Sequence, residues 1–87
     1  MIERTLTVVP EDGLHARPAS ALVEAANASD STVTIGPVDG DAVDAASMLA
    51  VTGLGVAAGD DVVLTVEGSD EAETAETLES ILTTPEH

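Results

Sequence analysis

Apolar and polar residues alternate from Ile2 to Val9, with Ile2, Leu6 and Val8 on one face and Glu3, Thr5 and Thr7 on the other. That period of two predicts a strand buried on one side, although Arg4 interrupts the apolar face. Further on the period changes. Ala19, Leu22, Val23 and Ala26 recur at i, i+3, i+4 and i+7, which predicts a helix running to about Ala28. Pro18 lacks an N–H and fits only the first turn of that helix, so Pro10 to Gly13 is read as a loop delivering His15 to the helix start. Thr32 to Ile35 predicts a second strand, with Pro37 near its end or at an edge. Asp39-Gly40 signals a hairpin into a short strand around Ala42-Val43. Ser47 is placed to cap a short helix over Met48 to Val51, ended by Gly53 and Gly55. Asp61 to Glu67 alternates most clearly, with Val62, Leu64 and Val66 inward. Asp70 with Glu73 reads as a capping box, opening a helix that carries Ala75, Leu78, Ile81 and Leu82 and stops before Pro85. The resulting order, βαββαβα with short loops, predicts an α+β fold: a four-stranded antiparallel sheet with three helices on one face.

Composition sharpens this picture. The 87 residues suit one domain spanning 1–87, and an apolar fraction of 44% without one aromatic residue means a core of Val, Leu, Ile, Ala and Met. With no cysteine and two histidines, neither a disulfide framework nor a metal site is expected, and no cofactor is called for. No apolar run reaches the ~20 residues of a membrane span, and the N-terminus lacks a signal-peptide layout, so a cytoplasmic protein without membrane insertion is expected.

Charge is the extreme feature. Seventeen acids stand against Arg4 and Arg17 alone, giving a formal net charge of −15 with no lysine. Such a surface has no basic patch for nucleic acid or anionic lipid. The periodicity argues against disorder, which a charge of this size would otherwise favour. Acid excess combined with much Ala, Val, Thr and Gly is similar to proteins of extreme halophiles. There, at ~1 M salt, a Debye length of about 3 Å screens the self-repulsion. Folding is expected to be weak in dilute buffer. The acids Glu71, Glu73, Glu76 and Glu79 read as a solvated helix face.

Against that background, Gly13-Leu14-His15-Ala16-Arg17-Pro18-Ala19-Ser20 carries the chemistry. An imidazole and a guanidinium stand two positions apart at a helix mouth, where unpaired N–H groups and the positive end of the dipole favour an anion, phosphate above all. Neutral imidazole is a competent nucleophile near pH 7. Together these point to a phosphohistidine on His15, with Arg17 neutralising the phosphoryl oxygens or, alternatively, pairing with Asp12 or Glu24.

This run resembles the active-site signature of HPr, the histidine-containing phosphocarrier family of the sugar phosphotransferase system, and the element order is similar to that family's open-faced β-sandwich. The resemblance implies that His15 is phosphorylated by enzyme I at the expense of phosphoenolpyruvate, through Nδ1, and passes the group to a IIA domain. The chain would then be a relay, expected to be monomeric, and not a turnover enzyme. Fructose uptake is one destination and a dihydroxyacetone kinase system another. Ser47 to Val56 resembles the segment around the family's regulatory serine, which makes Ser47 a candidate phosphosite and a regulatory relative a rival reading. The resemblance also assigns partner docking to Met48, Leu49 and Thr52 beside Ser47, with Ala16 and Ser20 on the histidine side. Two features depart from the family pattern. Glu24 stands on a helix that usually carries basic docking residues, and Asp12 stands where a neutral polar residue is common.

Overall fold

The computed structural model describes residues 1–9 and 16–84. Its elements are β1 (Ile2–Thr7), α1 (Ala16–Ala28), β2 (Thr32–Pro37), β3 (Val43–Asp44), α2 (Met48–Gly53), β4 (Asp61–Glu67) and α3 (Glu71–Thr83). The four strands form one antiparallel sheet in the order β1-β4-β2-β3. This is the expected α+β order.

Register aligns the inward residues in rows. Ile2, Val66 and Val33 make one row, Leu6, Val62 and Pro37 another, and Arg4, Leu64, Ile35 and Val43 the row between them. Because side chains alternate across a strand, each row faces the helices as a unit. Val33, Ile35, Val62, Leu64 and Val66 are all buried there. The helices close the core with Ala19, Leu22 and Ala26 from α1, Val51 from α2, and Ala75, Leu78 and Leu82 from α3. Both helical stripes match the spacing read from the sequence.

Arg4, anomalous in the alternation, has a structural explanation. It lies on the inward face of an edge strand, half-buried, and its Nη1–H donates to Glu79 Oε1 of α3 at 2.8 Å. Its alkyl stem can lie along apolar surface while the head stays charged. Glu79 is therefore more than a solvated carboxylate, and so is Glu71, whose Oε2 sits 2.9 Å from the Met1 amine. Glu73 and Glu76 are exposed as expected.

Several boundaries shift for identifiable reasons. The β1 ladder ends at Thr7 and not Val9. Beyond it, the Val8 N–H donates to the Asp60 carbonyl and the Val9 N–H to the Leu82 carbonyl, outside the sheet. Strand β2 extends to Pro37, because the Val38 N–H still reaches the Asp61 carbonyl. The short strand falls on Val43–Asp44, one residue later than expected, after a turn closed by Gly40 N–H to the Pro37 carbonyl.

The capping box of α3 is not formed. Asp70 occupies the N-cap but makes no cap hydrogen bond. Its carboxylate instead accepts from Ser31 Oγ at 2.5 Å and from the Asp30 N–H at 3.0 Å. It thus ties the turn after α1 to the start of α3. These bonds, Ser31 first, hold its pKa below the ordinary 3.8. Glu71, not Glu73, reaches back, accepting weakly from the Gly68 N–H at 3.4 Å. Gly68 permits the junction: a Cβ there would meet Ser31 Cα at 2.6 Å.

Candidate functional site

The described part of α1 opens at Ala16, the residue after His15. His15 itself, Asp12 and His87 lie outside the described residues, and so does the side chain of Ala16. Arg17 and Pro18 are the second and third residues of the helix. Arg17 is exposed and Pro18 buried. In the first turn a missing N–H costs no intrahelical bond, so proline is tolerated and its ring can pack inward. The amides left without helical partners and the positive dipole end lie at this terminus, as does the guanidinium. Ser20, one turn on, is exposed.

The other candidate residues stand on α2. Ser47 is its N-cap, with φ −105° and ψ 112°, and its Oγ accepts from the Ala50 N–H at 3.2 Å. The cap accounts for a serine at this position by itself. Met48 is 40% exposed and Leu49 85% exposed, while Val51 beneath them is fully buried. The half-buried Thr52 donates its hydroxyl back to the Met48 carbonyl at 2.8 Å and the Leu49 carbonyl at 3.3 Å, so this group is engaged within the helix. After Leu54, Gly55 takes φ +69°, the left-handed turn that ends the helix at little cost for glycine.

The structure packs α1 against α2, so Arg17 and Ser20 share adjoining helices with Met48 and Leu49. One residue that fixes this adjacency escaped the sequence reading. Asn27 Nδ2 donates to the Val23 carbonyl at 3.0 Å and across to the Ala46 carbonyl at 3.1 Å, immediately before the Ser47 cap. The available signal was weak: asparagine is a poor helix former in the last turn of an otherwise alanine-rich helix. An open cleft of about 420 Å³ lies elsewhere, between Pro37, Leu54, Val56, Asp60 and Asp61, and among the described residues none of the candidates lines it. Among the described residues no group of three or more His, Cys, Asp or Glu could hold a metal ion, and no helix is long and apolar enough to cross a membrane.

Comparison with known proteins decides the family. Residues 2–84 match the family model for the PTS HPr component phosphorylation site. The chain belongs to the HPr family of phosphocarrier proteins. It is similar to phosphocarrier protein HPr of Haloferax volcanii, 59% identical over 86 residues, covering 98% of this chain and 97% of that one. It is also similar to HPr of Streptomyces coelicolor, 51% identical over 74 residues, covering 83% and 80%. Among solved structures, HPr from Bacillus anthracis superposes with a TM-score of 0.89 at 32% identity, covering 94% of this chain and 96% of that one. HPr membership makes phosphoryl relay in the phosphotransferase system the work of this chain. The acid-rich composition fits the Haloferax relative.

Proposed function

We propose that His15 carries the phosphoryl group, taking it from phosphorylated enzyme I and passing it to the IIA domain of a sugar permease in the cytoplasm. The observation that supports this best is the start of α1: an exposed Arg17 in the first turn, two residues after His15, in a chain of the HPr family. In the transfer, the imidazole Nδ1 lone pair attacks phosphorus. The N–P bond forms as the bond to the donor atom breaks, and that electron pair leaves with the donor. Arg17 supplies the cation nearest in sequence for the phosphoryl oxygens, whose charge must be held through the transfer state. Transfer onward reverses the step toward the acceptor. The chain is regenerated each cycle, which makes it a relay and not a turnover catalyst.

The test is incubation with phosphoenolpyruvate and cognate enzyme I in molar salt, followed by mapping of the label. Acid-labile phosphate on His15 is expected, and full labelling of a His15→Ala variant overturns the reading. Chasing the labelled chain with a fructose-type IIA domain, or with the phosphoryl-accepting subunit of a dihydroxyacetone kinase, identifies the acceptor.

A further inference from the structure

The sequence holds a single carboxamide side chain, Asn27, and no glutamine, against seventeen acids. Asn27 is exposed, so solvation alone would suit a carboxylate there equally well. What a carboxylate cannot do is donate a hydrogen bond. Asn27 Nδ2 donates twice, to the Val23 carbonyl at 3.0 Å one turn back and to the Ala46 carbonyl at 3.1 Å on the segment leading into α2. Both partners are acceptors, which fixes the amide with its nitrogen toward them. Ala46 is thereby held at both ends, because its N–H donates to Asp44 Oδ1 at 2.9 Å. On either side of it, the Ala45 N–H donates to the Val33 carbonyl at 3.0 Å and the Ser47 N–H to the Asp44 carbonyl at 3.1 Å. The junction before α2 is tied to the sheet through its backbone and to α1 through Asn27.

Resting on the relay reading, with partner contact through α2, we infer that Asn27 is a positioning residue for phosphoryl transfer. It locks α2 to α1, so that Met48 and Leu49 meet a partner in fixed relation to Arg17. Helix α2 is six residues long and brings one fully buried side chain, Val51, to the core. A single anchor of that kind resists lifting more than it resists rotation. The direction in which Met48 and Leu49 point is therefore set by the junction before them. Without the Asn27 bond, a partner must order α2 as it binds, and that ordering weakens the encounter. Once bound, the partner itself holds α2 in place. Loss of Asn27 thus acts on KM and leaves the chemical step at His15 unchanged.

The experiment measures KM and kcat for transfer from charged cognate enzyme I, with this chain as the varied substrate, in molar KCl where circular dichroism shows each variant folded. Asn27→Ala should raise KM by about three- to tenfold, the effect of one hydrogen bond, with kcat unchanged. Asn27→Asp keeps the shape but turns an oxygen toward two carbonyls, and should raise KM at least as far. A wild-type KM in either variant overturns the inference, and so does a fall in kcat with KM intact. Ser31, bonded to Asp70 at the start of α3, supplies the control. Ser31→Ala should lower stability while keeping the wild-type KM, and an equal rise there would trace the effect to stability alone and overturn the inference. A double-mutant cycle shows whether Asn27 acts through α2. Leu49→Ala should itself raise KM, and adding Asn27→Ala should raise it little further, since the contact that Asn27 positions is already gone. A wild-type KM for Leu49→Ala, or two losses that multiply in full, overturns the inference. With excess enzyme I and long incubation, Asn27→Ala should still be labelled fully on His15. A wild-type chain that is never labelled there refutes the relay reading instead, so the two failures are separable.

Discussion

Replacing Ser47 separates two roles that one hydroxyl could serve. Its Oγ caps α2 through a 3.2 Å bond from the Ala50 N–H, and α2 is only six residues long. Losing an N-cap costs about 1 kcal/mol. If the first turn frays as a result, Val51, fully buried and bonded through its N–H to the Ser47 carbonyl, loses part of its packing as well. Full exposure of a valine side chain would add roughly 1.5 kcal/mol or more. The Ser47→Ala variant is therefore expected to lose about 1 to 2.5 kcal/mol. In a domain of this size each kcal/mol lowers Tm by roughly 4–8 °C. Ser47→Asp restores an acceptor at the cap and should melt near the wild type, yet it sets a carboxylate next to Met48 and Leu49. Thermal unfolding followed by circular dichroism in molar KCl, paired with transfer kinetics from enzyme I, reads both effects. Ser47→Ala should be destabilised but transfer normally where it is folded, while Ser47→Asp should be stable but slow. An unchanged Tm for Ser47→Ala refutes the cap as a source of stability. Wild-type transfer by Ser47→Asp refutes the assignment of α2 to docking.

Three further outcomes are expected. Arg17→Ala should keep the fold, because the side chain is exposed, while slowing transfer by about 10²-fold or more as the developing charge loses its cation; Arg17→Lys should recover only part, since a point charge does not reproduce the guanidinium fork, and a wild-type rate for Arg17→Ala makes it a surface residue. Asp70, held below its ordinary pKa of 3.8 chiefly by Ser31, contributes stability that is present above 3.8 and is lost as pH falls through the lower folded-state value. A carboxyl-carbon NMR titration in molar salt should place its midpoint below 3.8 and show Ser31→Ala moving it upward; a wild-type midpoint at or above 3.8 would show that the Ser31 link is absent in solution. With a net charge of −15 and an aromatic-free core, Tm should climb steeply from dilute buffer to molar salt, and a flat profile would contradict the halophilic reading while leaving the relay untouched.

The periodic parts of the chain were legible before any coordinates. Ala19, Leu22 and Ala26, the Val62–Val66 alternation, and the Leu78 and Leu82 stripe each announce a buried face, because a helix or strand must bury one side and its spacing shows which. The same holds for the Ser47 cap, which depends on residues three apart. What the sequence could not contain was any pairing between distant segments. Arg4 looked like a flaw in its strand until Glu79 of α3 was brought over it. Asp70 looked like half of a local capping box, but the turn at Asp30 and Ser31 approaches from another part of the chain and takes its carboxylate. Asn27 looked incidental until the Ala46 carbonyl came within its reach. In each case a local preference worth roughly 1 kcal/mol competed with a partner of similar strength that only the closed fold supplies. The grouping of Arg17 and Ser20 with Met48 and Leu49 belongs to both levels. Its residues can be read along the chain, but only the packing of the two helices makes them one surface.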